Sequence, residues 1–270
     1  MKPSSAEPAA VPLLGARVHR LTVDGLNAAV EAAVAEGGTT VIAHHNLHSL
    51  HLHRRDAGLR DFYRAARWIH VDGMPLVWIA RWLGHPLGRE HRVTYVDWLP
   101  PLLALAARRG WRVFSLGSRP GVGPRAAELL RRAHPGLRME TAHGYFDADD
   151  AARNGDVLER IARFRPDVLM VGMGMPRQER WIARNRDRLN AAVVLPCGAC
   201  MDYVAGAIPT PPRWLGRLGL EWAYRLAVEP RRLARRYLLE PWTLLPALLR
   251  ELAAARRRTP APDFDGGMGG

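Results

Sequence analysis

A single lysine, Lys2, stands among the 39 basic residues of this 270-residue chain, and only two cysteines occur. The shortage of lysine makes arginine richness partly a habit of composition, so where arginine clusters means more than its choice over lysine. It also removes the lysine of a P-loop: the stretch GSRPGVG at 117–123 lacks that residue and lacks the GxGxxG spacing of a dinucleotide fingerprint. Cys197 and Cys200 have CxxC spacing, but no second CxxC completes four zinc ligands, and a redox pair belongs at a helix start early in a fold. They read as small residues packed near a strand end. No apolar run reaches the about 18 residues needed to span a bilayer. Glu7 and three prolines interrupt the first residues before the apolar core of a signal peptide develops, so a cytoplasmic location is expected.

What is abundant is positive charge. The formal net charge of +13 points to an anionic partner: nucleic acid, an acidic membrane surface or a phosphorylated ligand. From Arg213 to Arg258, eleven arginines face four glutamates, so the excess is concentrated at the C-terminal end. There the segments Leu220 to Val228, Arg231 to Leu239 and Trp242 to Ala254 read as short helices broken by Pro230 and Pro241. In the middle one Leu233 and Tyr237 share a side, while Arg231, Arg232, Arg235 and Arg236 crowd the other. With Trp214, Trp222 and Trp242 nearby, this basic amphipathic stretch is either a solvated face or a surface for an anionic membrane or a bound phosphate.

Upstream, periodicity gives repeated strand-then-helix units: Val18 to Val23 with Leu26 to Ala35, Thr40 to Ala43 with Leu50 to Ala66, and Trp68 to Val71 with Met74 to Leu83. Thr94 is placed to cap a helix running to about Arg109. Arg112 to Leu116 with Pro124 to Ala133, Arg138 to Ala142 with Asp150 to Phe164, Val168 to Val171 with its helix, and Ala192 to Leu195 follow. The fold class is therefore α/β, a Rossmann-like, mostly parallel open sheet with a helical basic C-terminal appendage. The expected division is an N-terminal tail at 1–16, a catalytic α/β domain at 17–205, an appendage at 206–258 and a disordered tail at 259–270.

Ligands of such sheets bind beyond the carboxyl ends of the strands. The residues there are His44, His45 and Asn46; Asp72 and Gly73; Gly117, Ser118 and Arg119; Gly174 through Gln178; and Gly198 through Asp202. In DVLMVGMGMPRQERWI at 167–182, an apolar strand enters a Gly172–Gly174 turn, and Pro176 suits a first helical position, leaving helix N–H groups for an anion. Gln178, Glu179 and Trp181 supply polar and aromatic groups that are hard to justify as core. Asp72, a lone carboxylate after an apolar strand, is either a general base or the cap of the helix near Pro75. The run HHNLHSLHLH, holding His44, His45, His48, His51 and His53, lacks the glutamate and third ligand of a helical zinc site. Asp147 and Asp149 spell the DxD that carries a metal in many glycosyltransferases, but their polar setting before a helix favours capping. No cofactor and no metal site are therefore expected.

With these residues aligned, the chain resembles the WecG/TagA/CpsF family of bacterial glycosyltransferases, glycosyltransferase family 26. The resemblance spans about Val18 to Leu245. It rests on VDGMPLVW at 71–78, RVTYVDW at 92–98, FSLGSRPGV at 114–122, VGMGMPRQERWI at 171–182, DYVAGAIPTPP at 202–212 and RWLGRLGLEWAYRLAVEPRRLARRY at 213–237. It implies a metal-independent, inverting enzyme on the cytoplasmic face of the membrane, moving a sugar from a UDP-sugar to a polyprenyl-diphosphate-linked saccharide in teichoic acid, enterobacterial common antigen or exopolysaccharide assembly. On that pattern Asp72 matches the general base, Asn46 and Gln178 match polar residues of the site, Asp202 a carboxylate near the nucleotide, and Arg92 an arginine at the diphosphate. Arg225, Arg232 and Arg235 match arginines that a membrane-docking appendage brings to the site. His44 departs from the threonine of many relatives, which leaves acceptor identity and a share in proton transfer open. The implied partners are the UDP-sugar, the lipid-linked acceptor and an anionic membrane surface, with room for a homo-oligomer. Two rivals remain: an NAD-dependent oxidoreductase, disfavoured by the missing GxGxxG, and a nucleic-acid-binding protein using the arginine-rich end, which a steep salt dependence of duplex binding would reveal.

Overall fold

The computed structural model describes residues 8–258, so the expected tail at 259–270 lies outside the described residues. An antiparallel hairpin, β1 (Ala10–Leu13) and β2 (Ala16–His19), precedes a six-stranded parallel sheet. The sheet consists of β3 (Thr40–His45), β4 (Trp68–Val71), β5 (Arg112–Gly117), β6 (Arg138–Ala142), β7 (Val168–Gly172) and β8 (Val193–Pro196), in the spatial order β4-β3-β8-β7-β5-β6. Connecting helices are α1 (Val23–Glu36), α2 (Leu47–Arg55), α3 (Ala57–Ala65), α4 (Met74–Trp82), α5 (Tyr95–Arg109), α6 (Val122–Ala133), α7 (Ala151–Phe164), α8 (Arg177–Asn185) and α9 (Cys200–Val204). The C-terminal segment adds α10 (Arg213–Leu218), α11 (Glu221–Val228), α12 (Pro230–Ala234), a π-helical turn at Arg235–Leu239, a 3-10 turn at Glu240–Leu244 and α13 (Leu245–Arg258).

Uninterrupted apolar strands suit a sheet buried on both faces, and alternate residues divide accordingly. Ile42, Val113, Met170 and Leu195 pack on one side with α1, α5 and α6, whereas Val41, Phe114, Leu169 and Val194 pack on the other with α3, α7 and α8. Local signals set the helix ends. Thr22 accepts from the Gly25 amide and starts α1 earlier than the periodicity suggests, which shortens the expected strand to His19. Asp56 ends α2 and caps α3 through the Leu59 amide, dividing the single helix expected over 50–66.

A third apolar cluster changes the picture of the termini. Val11, Leu13, Leu14 and Val18 of the hairpin pack with Leu76, Val77 and Ala80 of α4 and with Leu244 and Ala247 from the last turn and helix. The hairpin's two turn amides, at Leu14 and Gly15, each donate to the Glu251 carboxylate of α13 at 2.9 Å. The tail boundary expected at residue 16 therefore falls inside a hairpin, and the end of the appendage is built into the body it was expected to append to. Among the described residues no helix is long and apolar enough to cross a membrane.

Candidate active site

The carboxyl ends of β3, β4, β5, β7 and β8 open into one cleft of ≈ 950 Å³, roofed by α11, α12 and the π turn. Its volume lies at the upper end of the ~300–1,000 Å³ usual for ligand sites. The floor is main chain. A Cβ on Gly117 would lie 2.3 Å from the Gly172 carbonyl oxygen, and one on Gly172 would lie 2.5 Å from that of Gly198, so only glycine lets these strand ends approach so closely.

Asp72 follows β4, and its amide donates to the His45 carbonyl at 2.8 Å, which fixes it beside the end of β3. Gly73, at φ 110°, is the residue at the helix boundary of α4, and no side chain caps that end. Asp72 is thus free of the capping duty its position suggested. Its Oδ2 accepts from Asn46 Nδ2 at 3.2 Å and lies 3.9 Å from His44 Nε2, with 29% of the side chain exposed to the cleft. Asn46 is held in turn: its Oδ1 caps α2 through the Ser49 amide at 3.0 Å, and Ser49 Oγ accepts from the Asn46 amide at 2.8 Å. One side chain therefore caps a helix and aims a carboxylate. His44 is buried against the rings of His70 and Tyr95, at 5.4 and 5.8 Å between centroids. Burial lowers its pKa below the ordinary imidazole value despite the opposing pull of Asp72, so it is a neutral neighbour of the carboxylate near neutrality.

On the other side of the floor, Ser118 Oγ donates to Asp202 Oδ2 at 2.7 Å, and both line the cleft with Arg119 and Tyr145. Gln178 borders the cleft, as expected, and also braces its floor. Its side chain is buried, its Oε1 accepts from the amides of Gly174 and Gly198, both at 3.1 Å, and its Nε2 donates to Glu179 at 2.8 Å. It staples the two glycine turns together. Glu179 and Trp181, expected to face a ligand, are also core: Trp181 Nε1 donates to Asn154 Oδ1 at 2.8 Å, and burial raises the Glu179 pKa to about 7. Pro176 precedes α8 after a cis peptide bond and is not its first helical residue.

Arg92 lines the cleft, but its guanidinium is shared between Asp97 Oδ2 at 3.1 Å and Glu221 Oε1 at 3.4 Å, joining the start of α5 to α11. Arg232 is paired with Glu229. Arg225 and Arg236 line the same cavity with buried Nε groups that have no hydrogen-bond partner among the described residues, their guanidinium carbons 5.9 Å from the Tyr203 ring and 5.8 Å from the Tyr237 ring. Arg235, expected at the site, is instead exposed on the outside, and its neighbour Arg236 takes the inward place. Both lie in the π turn at Arg235–Leu239, within which Arg236 is the arginine turned to the cavity. Sequence reasoning had Arg236 in the basic stripe and no means of seeing the turn.

The other motifs resolve simply. Asp147 accepts from the Asp149 amide, Asp149 pairs with Arg184 at 2.5 Å, and Asp150 is the cap of α7, so the DxD is turn chemistry away from the cleft. Cys197 and Cys200 are buried free thiols in the sheet core. Among the described residues no three His, Cys, Asp or Glu side chains converge as metal ligands.

Residues 11–258 match the model of the glycosyl transferase WecG/TagA/CpsF family. An N-acetylglucosaminyldiphosphoundecaprenol N-acetyl-beta-D-mannosaminyltransferase of Staphylococcus aureus strain MRSA252 is 30% identical over 198 residues, covering 73% of this chain and 73% of the relative. Proteins of the same name from strains NCTC 8325 / PS 47 and MW2 match with the same identity and coverage. A parallel sheet whose strand ends gather a carboxylate, a glycine floor and inward arginines fits that match, and the chain belongs to the WecG/TagA/CpsF family of glycosyl transferases.

Proposed function

We propose that the protein transfers N-acetylmannosamine from its UDP conjugate to N-acetylglucosamine carried on a polyprenyl diphosphate, with inversion and without a metal ion, at the cytoplasmic face of the membrane. The sugar and acceptor follow the names of the S. aureus relatives. The observation that carries the mechanism is that one cleft holds Asp72, free of capping and aimed by Asn46, together with Arg225 and Arg236, whose Nε groups are buried.

The chemistry follows from that arrangement. An acceptor hydroxyl placed beside Asp72 attacks the anomeric carbon and gives its proton to the carboxylate, while the bond from that carbon to the UDP β-phosphate oxygen breaks. The electron pair leaves with UDP. Guanidinium groups held away from bulk water meet that developing charge more effectively than solvated ones, because the surrounding dielectric is low and they need no reorganisation. Arg225 and Arg236 are the cations for this step, and Arg232 joins them if Glu229 releases it. Ser118, Asp202 and the Gly174 turn serve the nucleotide side. The exposed Trp214, Trp222 and Trp242, with the outward Arg231 and Arg235, form the surface that meets an anionic membrane, where each basic residue contributes ~1 kcal/mol.

Asp72→Asn tests the reading. The variant keeps the shape and the Asn46 contact, so UDP-sugar should still raise its melting temperature while turnover falls by ~10²–10⁴. Near wild-type turnover by a folded Asp72→Asn protein would sink it.

A further inference from the structure

The inward placement of Arg236 needs a cause, since among the described residues no salt bridge holds its guanidinium. The segment that follows it supplies one. Glu240 begins the turn directly after the π helix, and its Oε2 lies 2.5 Å from His48 Nδ1, with only 12% and 15% of the two side chains exposed. Three residues further along each element, His51 Nδ1 lies 2.7 Å from Thr243 Oγ1. That hydroxyl donates its one hydrogen to the Glu240 carbonyl at 2.7 Å, so His51 must carry its proton on Nδ1. His48 likewise donates from Nδ1, because an ionised carboxylate only accepts. The neutral Nδ1–H form suffices, and burial favours it: the His48 pKa is lowered below its ordinary value.

These contacts reach α2, the helix that Asn46 caps while it aims Asp72. From the first two turns of one rigid element, then, one side chain orients the base and two grip the segment bearing Arg236. Simple attachment would not need a largely covered carboxylate, which costs desolvation energy; apolar packing already provides attachment at Leu244 and Ala247.

We infer that His48 and Glu240 are positioning residues, a clasp that fixes the π turn so that Arg236 faces the departing diphosphate in register with Asp72. The inference rests on the leaving-group role proposed above for Arg236. In it, α2 sets the spacing between base and cation, and the clasp acts on turnover through Arg236 alone.

The test is a double-mutant cycle in the full-length protein, using UDP-N-acetylmannosamine and a soluble N-acetylglucosamine diphosphate lipid analogue. The variants are Glu240→Ala, Glu240→Gln, His48→Leu, Arg236→Ala and the double variant Glu240→Ala/Arg236→Ala, each with its kcat, donor KM and melting temperature. Glu240→Ala and His48→Leu should each lower kcat by up to ~10²-fold, the cost of a small misplacement of a reacting group. Glu240→Gln, whose amide oxygen still accepts from His48, should retain most of it. The double variant should be no slower than Arg236→Ala, because an interaction acting through one residue cannot be lost twice. Multiplying losses in the double variant, or wild-type kcat in Glu240→Ala, would overturn the clasp while leaving the role of Arg236 intact. Full turnover by Arg236→Ala would instead overturn the leaving-group reading and the clasp with it. If Glu240→Ala is too unstable to assay, the same cycle is run with His48→Leu.

Discussion

Asn46 does two jobs whose consequences separate cleanly. Replacing it with alanine removes the cap of α2, a loss of ~1 kcal/mol, and frees the Asp72 carboxylate, whose contact at 3.2 Å is partly replaced by water because the group is partly exposed. A total near 1–2 kcal/mol corresponds to a fall in melting temperature of roughly 2–4 °C per kcal/mol for a chain of this size. Serine restores the cap, since its hydroxyl can accept from the Ser49 amide, but it is too short to hold Asp72 as well. Asn46→Ser should therefore lose only the ~0–1 kcal/mol of the Asp72 contact, at most about 4 °C on that scale, yet lose up to ~10²-fold in kcat from misdirection of the base. Thermal unfolding and steady-state transfer, measured on both variants, give the two readouts. A fall in kcat and kcat/KM together marks an interaction made in the transition state. Asn46→Ser with parental turnover would refute the aiming role and leave Asn46 as a cap.

Three further outcomes follow from features of the fold. Gly172→Ala should destabilise by ~1–3 kcal/mol through overpacking against the Gly198 carbonyl, whereas Gly155→Ala, in α7 with open space around it, should stabilise by ~0.4–1 kcal/mol; a melting curve on each checks the pair. Glu179 holds its proton in the native state up to about pH 7, against 4.5 for the ordinary group, so stability should fall as pH rises across that window. Glu179→Gln should flatten that slope by up to about 3 kcal/mol, and a parental slope in denaturant titrations at pH 5 and pH 8 would contradict the burial argument. Transfer should persist in EDTA, and a loss restored by magnesium or manganese would replace the arginine account with a metal-dependent one.

The sheet was legible because its signals are local. Trp68–Val71, Arg138–Ala142 and the helix Tyr95–Arg109 fall where apolar runs and the Thr94 boundary place them. The neighbourhood of Asp72 and Asn46 followed from the rule that parallel strands present their carboxyl ends to ligand. What escaped depends on distant partners. His48 and Glu240 are 192 positions apart, and nothing near either predicts the other. Glu179 and Trp181 look like ligand-facing groups because what buries them, Asn154 included, is contributed by other elements. The C-terminal stretch looked detachable because the hairpin cluster that receives Leu244 and Ala247 is assembled only in three dimensions. Removal of everything after Pro212 would expose that cluster, so the appendage is better probed by single substitutions.

The glycine floor has a bearing on how such an enzyme can change its substrate. Because Gly117 and Gly172 leave no room for a Cβ, any ligand atom resting there meets only peptide groups, which are the same whatever the surrounding side chains. That surface can support a shape common to many ligands, but it cannot distinguish one hydroxyl configuration from another by substitution. Discrimination has to be written on the walls, at positions such as His44, Tyr95 and the roof helices, where side chains can be exchanged without parting the strands. Donor or acceptor choice is thus adjustable independently of the framework that holds the reacting groups.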